Sequence, residues 1–200
     1  MYRAFGVDRI LLANQLLDPN GLAWLADELN ADPEFWFGCF VDSVRGAHLM
    51  AEALARHGAS RPVDVLVELA NDGARTGART LAEASEVADA VLRNPMLRLV
   101  GVGGYEGAVA HDVSEQALSA VDGYLRRLRK LVAELAESGH FSGLDEVLVT
   151  CGGSAYFDQV AEAFTEPWPT GLPVVPVLRS GGYLLHDDGF YLIDLVRTFF

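Results

Sequence analysis

The chain has 200 residues, half of them hydrophobic and 22% charged, enough for one globular domain with a real core and too apolar for a disordered segment. Its net charge of -13 argues against nucleic acid or an anionic membrane as a partner. The two cysteines, Cys39 and Cys151, lie in apolar strand-like runs without disulfide or zinc spacing, which predicts buried thiols in a reducing compartment. The N-terminal run MYRAFGVDRILLANQLLDP is too short in apolar residues to cross a membrane and carries no clear cleavage signal, so the cytoplasm is the expected location. In chain order, RILLAN (9–14) predicts a buried strand, followed by a helix near 19–29 capped by Asp18. FWFGCFV (35–41) predicts the second strand, and Asp42 or Ser43 caps a helix through Arg56. VDVLVELA (63–70) is the third strand; the turn NDGARTGAR then leads to a helix over about 80–93. LRLVG (97–101) is the fourth, running into the turn GGYEG and a long helix over about 113–138. Residues 146–150 form the fifth strand with a helix at 156–164, and 174–178 begin the sixth, with 183–185 either extending it or forming another strand.

Strands apolar on both faces alternate with helices, the pattern of a parallel sheet covered by helices. The repeat of roughly thirty residues suits βα units. Two architectures satisfy it: a doubly wound open sheet and a TIM-type barrel with two units missing. In both, ligands bind at the carboxyl ends of the strands, and there the sequence places Asn14-Gln15, Asp42-Ser43, Asn71 to Arg79, Tyr105-Glu106, Thr150 to Ser154 and Arg179 to Asp188.

Several of these groups have two readings. Gly152-Gly153-Ser154, between an apolar strand and a helix, is either a helix cap or a phosphate cup of backbone N–H groups and a hydroxyl. Arg75, in a glycine-punctuated loop, is either solvated or bound to a phenolate, carboxylate or phosphate. Tyr105 is either a surface ring on a glycine-rich turn or a ring beside a ligand. His186 and Asp188 are two groups, too few for a metal site. Arg126-Arg127-Arg129-Lys130 predicts a solvated helix face, with Glu134 one turn from Lys130.

In order, the segments ILLANQLLDP (10–19), VLVELANDGARTGAR (65–79), LVGVGGYEG (99–107), VTCGGSAYFD (149–158) and VLRSGGYLLHDDGFY (177–191) resemble the D-serine dehydratase-like and D-threonine aldolase-like family. The last two most resemble its amino-acid deaminase branch. The resemblance implies an alanine-racemase-like barrel of fold type III that uses pyridoxal 5′-phosphate (PLP). It implies that Gly152, Gly153 and Ser154 hold the cofactor phosphate, that Arg75 points toward the pyridoxal ring, that Tyr105 lies close to it, and that Arg179, Gly181 and Tyr183 end the last barrel strand. It further implies a D-amino acid as substrate, a lyase reaction of dehydratase or aldolase type, and a homodimer as the assembly to test. The family's Schiff-base lysine lies on the first barrel strand, whereas this chain corresponds to the third strand onward. Lys130, its only lysine, falls in a covering helix that points away from the barrel mouth, so no catalytic residue and no metal ligand is assigned. The expected organisation is a partial PLP-binding (β/α) barrel of about six units over residues 1–191, lacking the family's C-terminal β domain, and an unassigned tail over 192–200. The expected function is that of an inactive portion of a PLP-dependent D-amino-acid lyase. The alternatives are a non-catalytic PLP carrier barrel and a gene fragment without a function of its own.

Overall fold

The computed structural model describes residues 2–152 and 155–179. After a short 3-10 turn at Tyr2–Phe5, strands and helices alternate: β1 (Arg9–Leu12), α1 (Pro19–Ala31), β2 (Trp36–Val41), α2 (Val44–Arg56), β3 (Val63–Leu69), α3 (Leu81–Leu92), β4 (Leu97–Gly104), α4 (Glu115–Glu137), β5 (Val147–Cys151), α5 (Phe157–Thr165) and β6 (Val174–Leu178). The first four helices begin on an oxygen-bearing cap. Asp18 precedes Pro19 and accepts from the Gly21 N–H, Ser43 accepts from Gly46, and Ser114 accepts from Ala117. Thr80 and Glu83 form a reciprocal capping box on α3. Each helix then buries one stripe. On α4 it is Ala117, Val121, Tyr124, Leu125, Leu128, Leu131, Val132 and Leu135, the spacing of a single helical face.

The six strands pair in chain order from β1 to β6, every pair parallel. A doubly wound sheet reverses its order at a switch point; this one does not, and its main core joins one sheet face to the helices. Outward residues such as Cys39, Val41, Val65, Val67, Val102 and Val149 belong to that core. Among the described residues the hydrophobic cluster on the opposite, inner face is small: Phe40, Leu66 and Val100, flanked by Leu11, Ala13 and Leu148, with no helix residue among them. The architecture is therefore a partial (β/α) barrel. Each fully buried Leu or Val in the sheet–helix layer contributes roughly 1.5–3 kcal/mol.

The strand expected over 97–101 continues to Gly104. Two glycines end the apolar pattern in the sequence but not the pairing. Between Val65 and Leu66 the register of β4 shifts, so that Leu99 opposes Val65 and Gly101 opposes Leu66. A Cβ on Gly101 would overlap the Leu148 backbone carbonyl, and one on Gly103 would come within 2.5 Å of the Phe40 ring. The glycines are thus where β4 meets its neighbours most closely. Tyr124 of α4 ties the layers together: its hydroxyl donates to the Leu69 carbonyl at 2.7 Å and accepts from the Tyr105 N–H at 3.0 Å. Among the described residues no helix is long and apolar enough to cross a membrane.

Candidate functional site

Alternate residues of a strand share a face, so the inner face can be followed to the carboxyl ends of the strands. There Phe40 of β2, Glu68 of β3, Thr150 of β5 and Arg179, just past β6, come together. A cavity of about 390 Å³ opens at this end, lined by Phe40, Glu68, Arg75, Thr76, Tyr105 and Arg179 among others.

Arg179 is held from several strands at once. Its backbone N–H donates to the Cys151 carbonyl at 3.1 Å, its Nε donates to Thr150 Oγ1 at 3.1 Å, and its terminal nitrogen donates to the Gly104 carbonyl at 2.5 Å. The guanidinium also lies 5.3 Å from the centre of the Phe40 ring. The Thr150 hydroxyl in turn donates to the Val177 carbonyl at 2.8 Å.

Arg75 is exposed, but the loop that carries it is stapled. The Arg79 guanidinium donates to the carbonyls of Ala74 at 2.6 Å, Thr76 at 2.6 Å and Gly77 at 2.5 Å. Arg127 reaches from α4 to Asn71 Oδ1 at 2.6 Å and to the Arg79 carbonyl at 2.7 Å. The Gly77 N–H donates to Asp42 Oδ2 at 3.2 Å, and Gly77 itself sits at φ +93°, a left-handed conformation that favours glycine. Arg75 therefore projects from a fixed frame.

These contacts correct the expectation of a solvated basic face on the long helix. Arg126 and Lys130 are exposed, with Lys130 Nζ 3.6 Å from Glu134 Oε1. Arg127 and Arg129 are half-buried and structural. Arg129 donates to the carbonyls of Ala163 at 2.6 Å and Pro167 at 2.7 Å and stacks on Trp168 at 4.0 Å. Planar guanidiniums suit this bridging, since each offers several donors in a fixed fork. Lys130 lies in the helix layer, away from the strand-end cavity.

Glu68 was not among the candidates read from the sequence. It is 7% exposed, and its Oε1 accepts from the Thr76 hydroxyl at 3.0 Å. Burial pushes its carboxyl above the usual range; the Thr76 hydrogen bond and the positive charges of Arg179 and Arg75 oppose this, and Asp42 adds to it. The signal was present in VDVLVEL, where Asp64, Leu66 and Glu68 share one face of an otherwise apolar strand.

Tyr105 is half-exposed, and its ring lies against Gly107 and Gly152, where a Cβ on Gly152 would overlap it. Gly152 is thus required as bare backbone beneath the ring. Glu106 is fully buried next to it and, after burial itself, is the larger influence raising the Cys151 thiol. Cys39 and Cys151 are both buried and free, and burial pushes the Cys39 thiol up to about 12. The structure thus gathers Arg75, Tyr105, Gly152 and Arg179 at the strand ends. Gly153, Ser154, Gly181, Tyr183, His186, Asp188 and the 192–200 tail lie outside the described residues.

The partial (β/α) barrel thus carries at its strand ends a cavity lined by guanidiniums, a buried carboxyl and an aromatic ring, a lining whose chemistry can accept an anionic small molecule. Residues 9–166 match the family model described as alanine racemase, N-terminal domain, and the chain belongs to that family. Its fold is similar to that of D-threonine aldolase from Filomicrobium marinum, at 22% identity and a TM-score of 0.66, covering 90% of this chain and 44% of that one. It is also similar to D-threo-3-hydroxyaspartate dehydratase from Delftia sp. HT23, at 24% identity and a TM-score of 0.60, covering 88% of this chain and 43% of that one. The chain thus spans less than half the length of these solved structures. No curated protein matches it.

Proposed function

We propose that this chain binds PLP in the strand-end cavity without a covalent bond, as the barrel portion of a PLP-dependent D-amino-acid lyase. The observation that carries the reading is the meeting of Arg75, Arg179 and Tyr105 around one cavity in a chain whose single lysine lies elsewhere. The residues present fit the cofactor in volume and charge. About 390 Å³ lies within the usual range for a small-molecule site, roughly 300–1,000 Å³. Two guanidiniums match a ligand that carries a phosphate and an anionic ring oxygen. Bare backbone at Gly152 immediately precedes Gly153 and Ser154 in the sequence, to which the family resemblance gives the phosphate.

When bound, PLP supplies an electron sink for cleaving a bond at the α-carbon of an amino acid. The chain's own residues bind and orient. Arg179, braced on three strands, offers positive charge at the cavity floor, Arg75 offers it from the stapled loop, and Tyr105 shields Gly152 from water. The solved neighbours are named for D-threonine and D-threo-3-hydroxyaspartate, which favours a β-hydroxy D-amino acid as the substrate class. Without a lysine at the cavity, the chain alone retains PLP reversibly and turns over no substrate. Equilibrium dialysis against PLP, with D-threonine and D-serine assays alongside, tests this. Retention that weakens in Arg75→Ala and Arg179→Ala, without turnover, is expected; no retention, or turnover by the chain alone, overturns it.

A second reading, that the chain works only beside further strands, is favoured by the sheet edges. Among the described residues β1 and β6 each pair on one side only, leaving ladder groups open. Size-exclusion chromatography separates the two readings. A clean monomer or homodimer with a cooperative melt sets the second aside, and aggregation relieved by a completing polypeptide supports it.

A further inference from the structure

We propose that the cavity takes up its anionic ligand together with a proton, and that Glu68 is the group that holds it. The inference rests on the reading of the cavity as the PLP site. Its basis is placement: a carboxyl 7% exposed, facing the same cavity as two guanidiniums, whose hydrogen-bond partner among the described residues is the neutral Thr76 hydroxyl.

The charged and titratable groups around it come from every neighbouring element. Asp42 follows β2, Arg75 stands on the loop after β3, Tyr105 and Glu106 follow β4, Tyr124 comes from α4, and Arg179 follows β6. In the free chain, Arg179 and Arg75 offset part of the burial that disfavours the carboxylate. An anion entering the cavity reverses that balance in three ways. It displaces water from around the carboxyl, it engages the guanidinium charge, and it adds a negative charge beside Glu68. All three favour the protonated form. An ionised Glu68 would compete with the ligand for Arg75 and Arg179, whereas a neutral one does not. In the coupled step, a solvent proton forms an O–H bond with the Glu68 carboxylate as the anion enters, and no oxidation is involved. The protonated carboxyl can keep Thr76 as a partner and turns one oxygen into a donor available to the ligand.

The test is the Kd of PLP as a function of pH in the native chain and in Glu68→Gln, which is neutral at every pH and keeps an acceptor for Thr76. Above the free-chain pKa of Glu68, native affinity should fall relative to the variant by about tenfold per pH unit, the slope for one linked proton. The ionisations of PLP itself cancel in that ratio. Parallel curves overturn the proton linkage and leave the cofactor reading standing; failure of the native chain to retain PLP at any pH overturns both. Should the variant not fold, infrared difference spectra of the native chain with labelled glutamate carboxyls decide the matter. A protonated-carboxyl band that grows on PLP addition at fixed pH supports the proposal, and its absence overturns it.

Discussion

Asp64 and Glu68 share one face of β3, and their charges are handled in opposite ways. At the amino end of the strands, Asp64 is 5% exposed and fully engaged. It accepts from Arg98 Nε at 2.6 Å, from an Arg98 terminal nitrogen at 2.8 Å and from Trp36 Nε1 at 2.7 Å. This forked pair also holds the Arg98 guanidinium above its ordinary pKa. At the carboxyl end, Glu68 is buried to a similar degree, yet the partner in hand is a neutral hydroxyl, and the nearest cations face the cavity. The amino end closes its charges on one another and serves stability; the carboxyl end leaves them turned toward the cavity. The division follows barrel logic, in which the upper rim carries chemistry and the lower rim holds the fold.

Four changes test that division, from the largest expected loss of stability to the smallest. Asp64→Ala leaves Trp36 and Arg98 without their acceptor; because Arg98 is more than half exposed it can rehydrate, and the loss should be about 2 kcal/mol by urea unfolding, with PLP affinity unchanged. Arg179→Ala removes bonds to Thr150 and Gly104 and should cost about 1 kcal/mol in the same measurement while weakening PLP binding by about tenfold. Arg75→Ala, on an exposed side chain, should change stability by less than about 0.5 kcal/mol but weaken PLP by a similar factor. If Asp64→Ala lowered affinity as much as Arg75→Ala, the two ends would not be distinct.

The fourth is a pH effect. The folded carboxyl of Glu68 lies above its unfolded value, so its contribution to stability is full below the ordinary glutamate pKa of about 4.3 and is lost as pH rises through the folded pKa. Thermal melts of the native chain and Glu68→Gln should therefore diverge on the alkaline side of that value, with the variant retaining more stability. Coincident profiles would mean that the carboxyl is solvated.

Much of the fold was legible because its signals are local. Apolar runs such as VLVEL mark buried strands, and Asp18, Ser43 and Thr80 mark helix starts by the hydrogen bonds their side chains make. The far end of β4 was not legible, since Gly103 and Gly104 read as a turn until Phe40 and Tyr124 are seen to fill the space beside them. At the site, Arg75, Tyr105 and Arg179 could be picked out because polar residues after a strand stand out in sequence. Glu68 was passed over: strand alternation puts it on one face with Asp64 and Leu66, but only the fold shows that this face runs up to the cavity. Arg79 and Arg127 were likewise hidden, because their role is to bind carbonyls that the sequence does not bring together.

The most direct test of the central claim, reversible PLP binding at a cavity without a lysine, is borohydride treatment of the PLP-loaded chain followed by dialysis and mass spectrometry. The account predicts that PLP dialyses away and the chain returns at its unmodified mass. A stable pyridoxyl adduct on Lys130 would contradict it.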